Sequence, residues 1–538
     1  MRRAPALAAI LCAGAAWSAE ASRPAPEPKI TSVFPSAGAP GATFEAAIRG
    51  AGLAGARSVL GVGARLLDAS SDTEIKVSFA PGAAGIHRFR VVTPFGATNE
   101  AEIHAVGIRT IREGEPVHEL PVLINGTIAR RGEVDSYWID ARAGETIRFD
   151  AESGFAGFDP SLTLWAPAAT WFDGERLERV AMNDDPLSFP GLATDAVLIH
   201  RFARDGRYCL KVGAFGGAGG ADYVYRLRIA RGQGPPVSLR PPLAREEWPE
   251  RWFTRALGPE WPAAIARRGL VKPPGPIETY RAVPEGSSGL PVIDNAGLVE
   301  GRLARAGEAH EIRFRIAEPR DLAIEVETPE ATLPRFNPVV RLMQPDGHEI
   351  VTNVYTKRNN NGLYMMKMIQ AKTTVTLRSV GEYRLQIRDI TSDCWSPDFA
   401  YRVLIRPQVP HLGAVKLVED RVNLEPGQSK PLTVNIDREE GFKGFVAVSV
   451  EGLPPGVTAV TGLENPVEKP PLPNAGRRER YYPVPQTATV MLAASEDATP
   501  MDSPVAARVA VRPVVNGRMG DAVLKKEIPV MVVARRPS

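Results

Sequence analysis

The stretch Gly126-Thr127-Ile128-Ala129-Arg130-Arg131-Gly132-Glu133 returns later in the chain as Gly301-Arg302-Leu303-Ala304-Arg305-Ala306-Gly307-Glu308. Three further matches follow in the same order. Phe158-Asp159-Pro160 pairs with Phe336-Asn337-Pro338, Gly206-Arg207-Tyr208-Cys209-Leu210 with Gly381-Glu382-Tyr383-Arg384-Leu385, and Tyr225-Arg226-Leu227 with Tyr401-Arg402-Val403. The offset stays between 175 and 178 residues, so one fold is used twice. A solenoid unit repeats every 20 to 50 residues or so; at this much longer period each copy can close a core of its own.

The copies carry a strand signature. Asp135-Ser136-Tyr137-Trp138-Ile139 and Thr146-Ile147-Arg148-Phe149-Asp150 alternate polar and apolar residues around a turn at Gly144. Leu162, Leu164, Val197 and Ile199 supply further alternating core positions, and Tyr223 to Leu227 closes the first copy. Glycine and proline, 49 of each in 538 residues, are spread between short apolar runs, a distribution that favours turn-rich all-β structure over disorder. Hydrophobic content of 44% and charged content of 24% are those of an ordinary globular protein.

Five segments follow a leader. Arg2 and Arg3, the apolar Ala4 to Ala16 and Ala19-Glu20-Ala21 read as a signal peptide over residues 1–21, and the apolar run is too short to span a bilayer. Its removal leaves a formal charge of +2, without the basic footprint of a nucleic-acid binder, and no later segment has the length of a membrane span. The expected location is therefore exported: periplasm, cell surface or exterior. Cys209 and Cys394, the cysteines left after that cleavage, do not occupy equivalent positions in the repeat; in an exported protein two cysteines can pair, and the favoured reading is free or half-buried thiols.

Residues 28–106 open with Pro28-Lys29-Ile30-Thr31-Ser32-Val33-Phe34-Pro35, carry Gly50-Ala51-Gly52-Leu53 in the middle and end with Thr93-Pro94-Phe95-Gly96. This pattern resembles the IPT/TIG immunoglobulin-like domain, which implies a β-sandwich used as a spacer or binding module. In residues 115–230, Gly126-x-Ile128, Gly132-Glu133-x-Asp135, Ala143-Gly144-Glu145, Asp159-Pro160-x-Leu162-x-Leu164, Asn183-Asp184-Asp185 and Gly206-x-Tyr208 together resemble the bacterial pre-peptidase C-terminal domain. The resemblance implies a jelly-roll-like sandwich appended to secreted proteins, and residues 297–406 are the more divergent second copy. Residues 412–534, with Gly452-Leu453-Pro454-Pro455-Gly456-Val457, look like the Ig-like domain that follows such modules in bacterial envelope proteins. Between the copies, residues 231–290 hold Trp248, Trp252 and Trp261 and read as a Pro/Trp-rich linker with two short helices, Pro249 to Leu257 and Pro262 to Arg268. The expected fold class is all-β: tandem β-sandwiches, Ig-like and jelly-roll-like, strung as a rod.

Chemistry is sparse. His118-Glu119, His310-Glu311 and His348-Glu349 begin like zinc-protease motifs, but Val122, Phe314 and Thr352 stand where the second histidine belongs. Gly286-Ser287-Ser288-Gly289 lacks the spacing of a nucleophile elbow. The best candidate cluster is Asn183-Asp184-Asp185 with Asp159 and Asp195, whose oxygens suit Ca²⁺; some relatives of the pre-peptidase module bind calcium, and the second copy has Lys357-Arg358-Asn359-Asn360-Asn361-Gly362 in place of the acids. The competing reading is a polar turn in which Asp caps backbone amides. Arg477, Arg478, Arg480, Tyr481 and Tyr482 form a second candidate, a loop suited to acidic sugars or a protein partner, or else a solvated insertion. The sequence thus points to a non-enzymatic adhesion or binding scaffold for an envelope polysaccharide or protein. The alternative is a secreted, peptidase-associated hydrolase or its accessory subunit. Exposed aromatic rows would favour the first, converging Ser, His and Asp in a pocket the second.

Overall fold

Period-two alternation buries one face of nearly every strand, and it does so around four separate cores. In Glu74–Phe79, for example, Ile75, Val77 and Phe79 are buried while the residues between them face outward. The computed structural model describes residues 27–154, 157–167, 177–184, 195–232, 277–281, 296–328, 336–358, 365–369, 372–390, 399–408, 410–460, 463–464 and 484–535. Among these the structure is strand and turn with no α-helix; Phe215–Gly217 forms one 3-10 turn. No helix among the described residues is long and apolar enough to cross a membrane. The leader and the helices expected in the linker lie outside the described residues, as do Trp248, Trp252 and Trp261.

The two copies share one topology, strand for strand. In the first, one sheet runs in the order Arg109–Arg112, Val122–Thr127, Val224–Arg231, Thr146–Ser153, Ala196–Arg201, and the facing sheet in the order Val134–Ala141, Gly206–Ala214, Pro160–Pro167, Leu177–Asn183. In the second, the orders are Ile277–Arg281, Ala296–Arg302, Ala400–Pro407, Arg320–Glu327, Lys372–Leu377, and Ala309–Ile316, Gly381–Asp389, Pro338–Met343, Glu349–Thr352. The second copy adds a hairpin, Val354–Arg358 with Met365–Ile369.

The repeated residues have physical reasons. Gly126 and Gly301 face Tyr225 and Tyr401 on the paired strand, and a Cβ at either glycine would sit 2.2 or 2.4 Å from the tyrosine Cζ. Each tyrosine hydroxyl is buried against a polar side chain, Asp135 in the first copy and His310 Nδ1, at 2.7 Å, in the second. Gly132 and Gly307 hold positive φ, 78° and 73°, in the following turn, where the next glutamate accepts a backbone N–H: Glu133 from Arg130 at 2.7 Å and Glu308 from Arg305 at 2.9 Å. Tyr208 and Tyr383 donate to the carbonyls of Arg204 and Ser379, four residues back, at 2.9 and 2.6 Å. Such a bond resembles the tyrosine corner of sandwich folds.

The first and last units are also two-sheet sandwiches. The first pairs Lys29–Phe34, Phe44–Ala51, Glu74–Phe79 and Ala64–Asp68 in one sheet, and faces them with Ala37–Gly38, Ala101–Ala105, Gly85–Thr93 and Ser58–Leu60. The last has His411–Leu417, Ser429–Glu439, Val484–Ala494 and Val457–Val460 against a sheet centred on Leu524–Val532 and Val505–Val515.

The units are not joined in chain order. The first sandwich packs against the second through Asn125, whose Oδ1 accepts from Ser36 N (3.1 Å) and Ala37 N (3.0 Å) while its Nδ2 donates to Ala37 O (3.2 Å). It also packs against the last sandwich, where Asn423 Oδ1 accepts from Ala97 N and Nδ2 donates to Ala97 O, both at 3.0 Å. Val92, Met531 and Val533 form a small buried apolar cluster beside that contact, and Arg90 reaches Asp420 at 2.8 Å. The order in space is therefore second, first, last and then the second copy, because the chain turns back to dock its last unit on its first.

The second copy meets the last unit through a buried ionic cluster. Arg406 donates to Glu325 (2.7 Å) and makes two bonds to Glu440 (2.7 and 2.6 Å); Lys372 contacts Glu439 and lies 3.0 Å from Glu440. All five side chains are essentially inaccessible. Glu440 reaches into the cluster from a left-handed backbone conformation, φ 52°. Burial alone would raise the Glu439 carboxyl, but the Lys372 ammonium and the adjacent His411 outweigh it and lower it to about 2.

Two outcomes are expected. Gly126→Ala forces a methyl into the Tyr225 ring and lowers the urea stability of the chain by about 1–3 kcal/mol. For Glu439 the folded value lies below the ordinary 4.5, so its contribution is present above that value and is lost as pH falls toward about 2. Thermal unfolding followed between pH 6 and pH 2 then shows a loss concentrated below pH 4.5, and the Glu439→Gln variant shows a smaller acid dependence.

Candidate functional site

The outward face of one sheet in the first copy carries two tryptophans in register. Trp138 on Val134–Ala141 pairs with Cys209 on Gly206–Ala214, and Cys209 pairs on its other side with Trp165 on Pro160–Pro167. Strand alternation dictates the direction. Tyr137, Ile139, Tyr208, Leu210, Val212, Leu162 and Leu164 are buried in the core, so the intervening residues point away from it. Trp138 and Trp165 are both half-buried, whereas Cys209 at the middle position is 1% exposed.

Each ring has a cation beside it. The Arg207 guanidinium lies 5.3 Å from the centroid of Trp138, and the Lys211 ammonium lies 4.8 Å from that of Trp165. Trp165 Nε1 donates to Thr163 Oγ1 at 2.9 Å, which fixes the ring's orientation. The next row of the face holds Ser136, Lys211 and Thr163, with Met182, 49% exposed, alongside. Two strand spacings separate the tryptophan positions, about 9–10 Å. The arrangement is an outward platform with two apolar rings, hydroxyls and two cations beside the rings. Burial raises the Cys209 thiol above its ordinary value, with Ser136 and Lys211 opposing, so the thiol beneath the platform is held neutral.

The second copy lacks this platform. The same register positions are held by Arg313, Arg384 and Met343, and Arg313 is ion-paired to Glu382 at 2.7 Å.

The residues singled out for calcium lie only partly among the described residues. Asn183 ends its strand opposite Leu162 and donates its amide to the Val197 carbonyl at 2.6 Å. Asp195 accepts from Ser153 N at 2.9 Å, and the carbonyl of Asp159 accepts from Phe215 N at 2.7 Å. Asp184 follows Asn183, and Asp185 lies outside the described residues. Among the described residues, the one group of three His, Cys, Asp or Glu ligand atoms within 4.8 Å of one another is His411, Glu439 and Glu440. There Lys372 already bridges the two carboxylates. Arg477, Arg478, Arg480, Tyr481 and Tyr482 also lie outside the described residues. Cys209 is a free, buried thiol, and Cys394 lies outside the described residues.

Sequence reasoning attended to the clustered tryptophans of the linker and passed over Trp138 and Trp165. The signal was present: Trp165 follows Leu162 and Leu164, already read as core positions, at the outward phase, and Trp138 lies between Tyr137 and Ile139, which the structure buries.

No family model matches the chain, and no curated protein matches it. Among solved structures it is similar to CorA, a surface-associated copper-binding protein of Methylomicrobium album BG8, at 10% identity over 23% of this chain and 98% of that one, TM-score 0.18. It is similar to tripeptidyl peptidase 2 at 8% identity over 95% of this chain and 39% of that one, TM-score 0.14. The SGBP-B protein of the Bacteroides ovatus mixed-linkage glucan utilization locus, in complex with a heptasaccharide, matches at 11% identity over 66% of this chain and 73% of that one, TM-score 0.14. At such scores these likenesses carry no information on what this chain binds.

The burial of Cys209 has a direct readout. In a Cys394→Ser background, a disulfide reagent at pH 8 leaves Cys209 unmodified in the native protein and labels it fully in denaturant, with the labelling rate tracking unfolding.

Proposed function

We propose that the protein is an exported, non-enzymatic scaffold of four sandwiches that binds an envelope polysaccharide on the Trp138–Trp165 face. The observation that carries this reading is the pair of half-buried tryptophans in register across one outward sheet face, their backbone positions two strand spacings, about 9–10 Å, apart. An indole face covers the apolar face of a pyranose ring, and hydroxyls at the ring's rim find donors in Arg207 and Lys211. Two rings at this separation engage two residues of one extended chain, so the second contact is intramolecular once the first has formed. A platform open to solvent suits an internal stretch of polymer, which enters from the side and needs no free end.

The other sandwiches fit a supporting role. Their described sheets expose no comparable pair of rings, and the contacts through Asn125 and Asn423 fix the binding unit against the first sandwich and, through it, the last.

The test is binding of the full chain to a panel of soluble and insoluble bacterial polysaccharides. Trp138→Ala and Trp165→Ala each weaken the bound polysaccharide by tenfold or more, about 1.4 kcal/mol, with unchanged circular dichroism. Arg313→Ala at the equivalent position of the second copy leaves binding as it was. A panel with no bound polysaccharide, or binding untouched by both tryptophan variants, ends the proposal.

A further inference from the structure

A cleft of about 260 Å³ opens at the joint between the first and second sandwiches, away from the tryptophan face. Its walls carry Arg88, Asn99, Glu100 and Glu102 from the first sandwich and Arg226 from the second. Arg226 is 1% exposed. Its Nη1 donates to Ser36 Oγ at 3.0 Å and its Nη2 lies 3.4 Å from Glu152, but its buried Nε has no hydrogen-bond partner. A buried cationic N–H without an acceptor is uncommon enough to require an explanation.

Two guanidinium–carboxylate pairs along the cleft are stretched. Arg88 Nε lies 3.5 Å from Glu100 Oε1, and Arg226 Nη2 lies 3.9 Å from Glu102 Oε1, which also meets His104 Nε2 at 3.2 Å. Both exceed the usual length of a charge-assisted hydrogen bond. A hydroxyl is the group that fits between such partners, because it accepts from the guanidinium while donating to the carboxylate. The Arg88–Glu100 pair and the unpartnered Arg226 Nε in one cleft ask for more than one hydroxyl on one small frame. A lone carboxylate or phosphate would meet Glu100 and Glu102 as well as the arginines. An apolar ligand would strand all of these charges. The volume would hold roughly eight waters, and it also suits a single sugar ring. No aromatic residue is among the described residues lining the cleft, so recognition here works through hydrogen bonds and not by stacking.

We infer that this joint cleft is a second binding site, taking one polyhydroxylated residue such as a monosaccharide or a sugar chain's terminal unit. It goes beyond the polysaccharide platform, and neither site depends on the other. Because its walls come from two sandwiches, an occupant ties them together. The Glu100 backbone N–H also bonds to Asp420 of the last sandwich at 3.1 Å, so the same wall is anchored at both joints.

The experiment is calorimetric titration of the full chain, in the Trp138→Ala/Trp165→Ala background, with glucose, galactose, mannose, N-acetylglucosamine and glucuronate. That background removes the platform, so a result here is independent of polysaccharide binding there. At least one sugar is expected to bind saturably with one site per chain. Arg88→Ala or Glu100→Gln, both at partly exposed positions the fold tolerates, weakens that binding tenfold or more with the unfolding midpoint unchanged. If none of these sugars binds, the cleft holds water only and the inference is wrong. It is equally wrong if a sugar binds with the same affinity in both variants.

Discussion

Two asparagine side chains hold the first sandwich to both of its neighbours. Asn125 and Asn423 each present an amide to a stretch of first-sandwich backbone and satisfy both its N–H and C=O groups, as a neighbouring strand would. Both are buried, at 1% exposure. An apolar side chain at either place would leave buried peptide groups without partners, so these joints are specified by hydrogen bonding and only secondarily by apolar area. The first sandwich is held on two sides by chemically equivalent hooks that come from units roughly 300 residues apart in sequence. The third joint, between the second copy and the last unit, uses charge instead. Removing one partner from such a buried ionic group costs about 3–5 kcal/mol, which makes it stiff and intolerant of change.

Much of the fold was legible because strand structure writes itself into sequence with period two, and because the repeat states its own landmarks. Gly126 and Gly301 were visible as matched letters. The structure supplies their cause in Tyr225 and Tyr401, which occupy the space a side chain would need. The turn glycines and the glutamates after them recur because a positive φ and a capped backbone N–H are needed at the same bend. The joints were illegible for the opposite reason. An asparagine that bridges to a distant backbone leaves no periodic trace, and neither does a lysine that finds two glutamates 67 and 68 residues away. Sandwiches joined in chain order are what local pattern alone implies, and the contact between the first and last units is a tertiary fact.

The site followed the same division. The polar run Asn183-Asp184-Asp185 was visible in sequence, yet Asn183 ends its strand and Asp185 lies outside the described residues. Asn183 spends its amide on a carbonyl of the neighbouring segment. Trp138 and Trp165 are 27 residues apart and looked unrelated, but the strand of Cys209 lies between them and brings both to one face. Pairing register, not sequence distance, makes the platform. The divergence of the second copy is then informative: an identical topology carries arginines and a methionine at those positions, so the scaffold was kept while the surface changed.

The Lys372 ammonium sits between Glu439 and Glu440, where two carboxylates and His411 would otherwise present the ligand set of a divalent ion. The chain thereby carries its own counter-ion, covalently attached and never diluted. A joint built this way keeps its geometry whether the surrounding fluid is rich in metal ions or stripped of them.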